Sequence, residues 1–223
     1  MTVTVYACFV RFNDRLRVLL SRRSWLLPLR VLAFTSLLLG FAVSVSAAPS
    51  APPAAPPKAH AHVYLIRGFL NIFSLGMDEM AAKLQRQGVY VTVHNHMAWP
   101  SIASQAAEEY RSGKVRTIIL VGHSAGADAV ASICGRLGEQ GIPVKLAIGL
   151  DPGLSRTPAS GRVDRYINFY VSTGIGHTID KSPEFRGHFE NVDVAKMPGV
   201  GHFNIEKNTA METIVIRDID AAL

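Results

Sequence analysis

The stretch Gly122-His123-Ser124-Ala125-Gly126 constrains the fold of this chain more than any other. It follows the run from Thr117 to Val121, in which polar and apolar residues do not alternate as they do in a strand with one exposed face. A helical pattern comes after it. A strand that turns abruptly into a helix needs small residues two positions before and two positions after the turning residue, because the turn is tight and strained. The pattern therefore predicts that Ser124 projects from the carboxyl-terminal edge of a parallel sheet.

The chain from His60 onward alternates short apolar runs with helical patterns. Strands are predicted over 63–66, 89–93, 117–121, 144–150, 166–171 and 192–194, and helices over 74–87, 101–112, 125–140 and 207–222. Ser74 is predicted to cap the first helix. This alternation is typical of an α/β fold with a mostly parallel sheet and helices on both of its faces.

The first 48 residues are predicted to be a signal peptide. Arginines precede an apolar run from Val31 to Val43, and the segment Val45 to Ala48 suits cleavage by signal peptidase. The pair Arg22-Arg23 resembles a bacterial twin-arginine signal. We therefore expect export to the periplasm or out of the cell, with an uncleaved membrane anchor as the alternative.

Residues 49–60 are predicted to be an extended Pro/Ala-rich linker, and residues 61–223 the folded domain. Most of the net charge of +6 comes from the leader, so the nearly neutral domain gives no argument for nucleic acid as a partner. Membrane contact is expected only through the leader. Cys134 is the domain's single cysteine and cannot form an internal disulfide. The sequence leaves the oligomeric state open.

Two motifs carry a resemblance to the α/β-hydrolase superfamily. Gly122 to Ala127 is similar to the nucleophile elbow of triacylglycerol lipases and thioesterases, and Ile148-Gly149-Leu150-Asp151-Pro152 resembles the segment with the catalytic acid in pancreatic-type lipases. The resemblance covers about residues 62–222. It is to a minimal version of the fold, without the first strands, the disulfides or the long lid of larger members.

The resemblance implies that Ser124 is a nucleophile, and a serine hydroxyl needs a base and an acid to become reactive. In this fold the acid and the histidine follow the serine in that order. His202 lies in a Gly-rich loop before the last helix, where the family keeps its base. His177 and His188 lie in a polar stretch and are predicted to be solvated, and His123 is expected to be a packing residue.

Two carboxylates compete for the role of the acid. Asp151 stands immediately at the end of its predicted strand, whereas Asp180 lies nine residues beyond the strand that ends at Val171. We favour Asp151 because its position is better fixed, with Asp180 as the alternative. The oxyanion donors are predicted to be the N–H of Ala125 and the N–H of Phe69, in a segment that resembles the family's H-G-F, with Leu70 a weaker choice for the second.

No cofactor or metal is expected. The pairs His60/His62 and His94/His96 are interpreted as solvated or loop histidines, since no carboxylate or cysteine cluster accompanies them. The glycines form no phosphate-binding loop. The walls of an acyl pocket are predicted to come from five apolar residues, namely Phe69, Ile72, Phe73, Trp99 and Leu154.

These features predict an exported serine hydrolase that cleaves a small acyl ester or thioester through an acyl-enzyme on Ser124. Two alternatives stay open. The first is an acyltransferase that uses the same triad, and the second is a catalytically silent hydrolase fold that serves as a binding module. The acyl-chain length and the choice between ester and thioester are not determined by the sequence.

Overall fold

The computed structural model describes residues 60–69, 74–153 and 155–223. The predicted leader, nearly all of the linker, and the pocket residues Ile72, Phe73 and Leu154 lie outside the described residues, as does Leu70. In the described part of the chain, no helix has the length and apolar character that crossing a bilayer requires.

Within the described residues, six strands form one sheet in which every neighbouring pair is parallel. In chain order they are β1 (Ala61–Arg67), β2 (Tyr90–Asn95), β3 (Thr117–His123), β4 (Val144–Leu150), β5 (Arg162–Tyr170) and β6 (Arg186–Asp193), and their spatial order is β2-β1-β3-β4-β5-β6. The helices are α1 (Gly76–Arg86), α2 (Trp99–Arg111), α3 (Ala125–Glu139) and α4 (Thr209–Ala222), with a short 3-10 turn at His96–Ala98. The predicted α/β class with a parallel sheet is confirmed.

The helices cover both faces of the sheet, which explains why β3 is apolar along its length. Ile118 and Leu120 pack into the core layer beneath α2 and α3. Ile119 and Val121 point the other way, into the layer beneath α1 and α4. Successive side chains of a strand point to opposite faces, so a strand with two covered faces needs apolar residues at every position.

The last predicted strand and the predicted cap of the first helix differ from the observed structure for physical reasons. The strand predicted over 192–194 is β6, which begins at Arg186, and most of its residues are exposed or half-buried at the sheet edge, so the sequence carries no long apolar run there. The predicted cap Ser74 is wrong, because α1 begins at Gly76 and its capping residue, Leu75, makes no side-chain cap. The Ser74 hydroxyl has other partners, described below.

The parallel arrangement brings the carboxyl ends of all six strands to one edge. The segments that follow β1, β3, β4 and β6 in the chain contain Gly68, Ser124, Asp151 and His202 in turn. In open α/β sheets this edge is where ligands bind.

Candidate active site

Ser124 occupies a strained turn between β3 and α3. Its φ is 56° and its ψ is −124°, a conformation that residues with a side chain rarely adopt. A Cβ on Gly122 would collide with the Gly126 carbonyl, and a Cβ on Gly126 would collide with the Ile66 carbonyl. Both glycines are therefore required by close backbone approach.

A continuous hydrogen-bonded row runs from Ser124 into the protein interior. The Ser124 Oγ lies 3.1 Å from His202 Nε2, and His202 Nδ1 lies 2.6 Å from Asp151 Oδ2. The other carboxylate oxygen of Asp151 accepts the Val171 N–H at 2.6 Å, and the Asp151 side chain is fully buried. Because a carboxylate accepts the proton on Nδ1, the free lone pair of Nε2 faces the serine hydroxyl.

The structure brings together all three residues predicted to form the triad, and their catalytic roles remain predictions. The alternative acid, Asp180, is exposed, and its backbone carbonyl accepts the Ala159 N–H at 2.8 Å. Of the other downstream histidines, His188 has a side chain that is 67% exposed, and the ring of His177 contacts the Thr178 carbonyl at 3.0 Å.

The predicted oxyanion donors belong to the two segments that flank Ser124. Ala125 is the first residue of α3, so its N–H has no acceptor within the helix and faces the start of the turn. Gly68 packs against Ser124 so closely that a Cβ on it would stand 3.0 Å from the serine Cβ and 2.9 Å from the His123 carbonyl oxygen. Phe69 follows directly, which places its backbone beside the nucleophile.

A cavity of about 190 Å³ opens at Ser124. It is lined by Gly68, Phe69, Ser74, His123, Ser124, Gly153, Ile175, His202 and Phe203. Three large apolar side chains at this cavity, those of Phe69, Ile175 and Phe203, are more than 40% exposed.

The prediction of the pocket wall holds for Phe69 and is wrong for Trp99, which lines a separate groove beside Ser132. Ile175 and Phe203 were not predicted. Phe203 could have been found from its position next to His202, whereas Ile175 reaches the cavity from the loop after β5, and no local pattern marks it.

Comparison with known proteins gives likenesses of structure only. No protein-family model matches the sequence, and no curated protein is significantly similar to it. A candidate hydrolase of the α/β superfamily from Xanthomonas campestris pv. campestris is 13% identical over 72% of this chain and 98% of its own, with a TM-score of 0.43. Human thioesterase 2 is 12% identical over 74% and 96%, and Est1E from Butyrivibrio proteoclasticus is 15% identical over 75% and 92%, both with a TM-score of 0.48.

This chain has an α/β-hydrolase-like fold. Its sheet order and the turn at Ser124 place a serine at the carboxyl-terminal edge of a parallel sheet, between the central strand β3 and the helix α3 that follows it. The roles of individual residues in this hydrolase-like fold are argued from the contacts within the chain itself.

Of the four histidines predicted to be solvated or in loops, His62, near the start of β1, does not fit the prediction. His62 is fully buried, its Nδ1 lies 2.7 Å from a Glu109 oxygen, and its Nε2 lies 2.8 Å from the Thr92 hydroxyl. Burial lowers the pKa of His62, so the ring is neutral at pH 7. The prediction failed because the carboxylate partner comes from α2, 47 residues away in sequence.

No three His, Cys, Asp or Glu side chains within residues 60–69, 74–153 and 155–223 are grouped in a way that could hold a metal ion.

Proposed function

We propose that this protein is a serine hydrolase that cleaves carboxylic esters or thioesters. The observation that carries the proposal is the hydrogen-bonded row of Ser124, His202 and Asp151, at 3.1 and 2.6 Å, with the serine at the apex of a strained strand-to-helix turn. Such a row supplies a nucleophile, a base and an acid in the relative orientation that acyl transfer requires.

The reaction follows from these contacts. Ser124 Oγ attacks the acyl carbon while His202 Nε2 takes the hydroxyl proton, and Asp151 stays ionised and stabilises the imidazolium. The N–H groups of Ala125 and Phe69 bind the oxygen on which negative charge develops. His202 then protonates the leaving alcohol or thiol, and the acyl group stays on Ser124. A water molecule, deprotonated by His202, releases the carboxylic acid and restores the serine.

The lining of the cavity supports an uncharged acyl group as the part of the substrate held at Ser124. Phe69, Ile175 and Phe203 surround the opening, and among the described lining residues no Lys, Arg, Asp or Glu is present. An ionised acyl chain would lose its hydration there without gaining a charged partner.

Covalent labelling of the full chain with a fluorophosphonate tests the proposal. We expect one labelled residue, Ser124 by peptide mass spectrometry, and no labelling of Ser124→Ala. Ser132→Ala is the matched control, because Ser132 lies on the same helix beside a separate groove and should label like the wild type. A folded wild type that stays unlabelled would contradict the proposal and favour the binding module.

A panel of acyl esters and thioesters, assayed with and without an added alcohol, then separates hydrolysis from acyl transfer. A hydrolase releases free acid in both conditions. An acyltransferase would form the new ester in preference to the acid.

A further inference from the structure

His123 precedes the nucleophile but its side chain lies beneath the site, and the residue is only 1% exposed. Its Nε2 lies 2.7 Å from the backbone carbonyl oxygen of His202, and its Nδ1 lies 2.8 Å from the Ser74 hydroxyl. A carbonyl oxygen can only accept, so Nε2 must carry the ring proton. Nδ1 is then an acceptor and takes the hydrogen of the Ser74 hydroxyl.

The Ser74 oxygen has a second partner on the far side. It accepts the N–H of Gly68 at 3.0 Å, and Ser74 is itself 1% exposed. One directed chain of hydrogen bonds therefore runs from the Gly68 N–H through the Ser74 hydroxyl to His123, and from His123 to the His202 carbonyl. It joins the segment of the predicted oxyanion donor Phe69 to the loop of the predicted base.

We propose that His123 and Ser74 are positioning residues. They hold the segment of Gly68 and Phe69 and the loop of His202 at a fixed distance from each other around Ser124. This inference rests on the proposed function, since the relative position of the two segments affects a reaction rate only if Ser124 is acylated. Neither residue takes part in the proton transfers of the reaction. Their effect is on the placement of the Phe69 N–H and of the His202 imidazole, because small displacements of catalytic groups reduce the rate strongly.

Charged groups lie near His123, but burial is the main reason that its ring stays neutral. A Glu206 carboxylate oxygen lies 3.8 Å from Nε2, the ring centroid of His202 lies 5.3 Å away, and Asp151 and Lys207 act at longer range. Burial lowers the pKa of His123 to about 4, and burial also raises the pKa of Glu206. The ring is thus neutral at pH 7, with one donor and one acceptor as the two contacts require.

Kinetic constants of four full-length variants test the proposal. Ser74→Ala removes the central hydroxyl, and His123→Gln keeps an amide donor near the place of Nε2 but leaves no acceptor at the place of Nδ1. We expect each to lower kcat by about 10-fold to 100-fold, less than or equal to the loss of a whole oxyanion donor, with KM nearly unchanged. Ser74→Thr restores a hydroxyl and should recover most of kcat. His62→Gln is the control, a buried histidine in a different network, and should keep the wild-type kcat.

The double variant Ser74→Ala with His123→Gln should be no slower than the slower single variant, because both act through one chain. Wild-type kcat in Ser74→Ala, in a wild type that is active, would overturn the positioning role and leave the proposed function standing. Loss of activity in Ser74→Ala and His62→Gln alike would also overturn it, because the loss would then be general.

A second measurement does not depend on catalysis. The imidazole nitrogen shifts of His123, assigned by comparison with His123→Gln, should show the Nε2–H tautomer at pH 7 in the full chain. The Nδ1–H tautomer would overturn the hydrogen-bond chain whether or not the protein is active. An inactive wild type with the Nε2–H tautomer would instead count against the proposed function while supporting the chain of hydrogen bonds.

Discussion

At the scale of single residues, Asp151 decides the orientation of His202. One of its oxygens accepts the Val171 N–H and the other accepts the His202 Nδ1–H. Asp151→Asn should keep the first bond but present an amide donor to Nδ1, which forces the imidazole into the tautomer that cannot act as a base. We expect kcat on an activated ester to fall about 10⁴-fold, the size of loss typical when the triad aspartate of a serine protease is replaced by asparagine.

Asp180→Asn is the matched control for this substitution. Its carboxylate is exposed, so we expect less than a two-fold change, of the order usual for surface substitutions. The two asparagine variants are assayed side by side on one substrate. A severe loss of kcat in Asp180→Asn together with a mild loss in Asp151→Asn would contradict the role proposed for Asp151.

The burial of His123 gives the stability of the protein a pH dependence with a definite sign. Its folded pKa of about 4 lies below the ordinary value of 6.5, so between these pH values the unfolded chain binds a proton that the folded chain does not. Its contribution to stability is complete above about pH 6.5 and is lost as the pH falls toward 4. We expect about 2 kcal/mol less stability at pH 5 than at pH 7 from this group.

Urea unfolding of the wild type and His123→Gln at both pH values measures this difference. The variant should lack that part of the pH dependence. Glu206 acts in the opposite direction, because its raised pKa lets the folded state bind a proton first, but it is present in both proteins. The same difference in stability between pH 7 and pH 5 in the two proteins would show that folding does not lower the pKa of His123.

At the scale of elements, Glu109 connects α2 to β1. Its carboxylate accepts hydrogen bonds from His62 and Tyr64 on β1, from Lys114 in the loop after α2, and from Gln105 on its own helix. Although burial alone would raise the pKa of Glu109, these bonds together lower it to about 2. Glu109→Gln should therefore lower the free energy of unfolding by about 2 kcal/mol at pH 7.

The effect of Glu109→Gln should depend on pH in a known direction. The folded pKa lies below the ordinary value of 4.5, so the stabilisation is complete above about pH 4.5 and is lost as the pH falls toward 2. Glu108→Gln is the matched control, an exposed glutamate on the same helix, and should change stability by less than about 0.5 kcal/mol. Equal effects of the two substitutions in urea unfolding would contradict the role of the network.

At the scale of the whole molecule, we propose that the chain is exported and that its leader is removed after Ala47 or Ala48. The proposal rests on the order of arginines, an apolar run and small residues in the first 48 positions. Expression in a bacterium, followed by intact-mass measurement of the soluble extracytoplasmic fraction, should give a protein that begins near residue 48 or 49. A full-length chain found only in the membrane fraction would favour the anchor instead.

The sequence by itself determined the fold class of this protein and predicted Ser124 as its nucleophile, because both inferences depend on local patterns. A strand covered on both faces is apolar at every position, and a strained turn around Ser124 requires glycine at positions 122 and 126. The chain order of serine, acid and histidine left His177, His188 and His202 as candidates for the base, and the position of His202 before the last helix favoured it. These signals depend on residues close together in the sequence or on the order of elements.

Only the tertiary structure shows that the carboxylate in contact with His202 is that of Asp151, because this contact depends on which strand end the His202 loop packs against. The same is true of Ser74, predicted to be a helix cap, whose hydroxyl instead joins Gly68 to His123 across 49 residues of sequence. The burial of His62 likewise follows from a partner on another element. Contacts between elements that are distant in sequence depend on how the layers pack, and no local pattern records that packing.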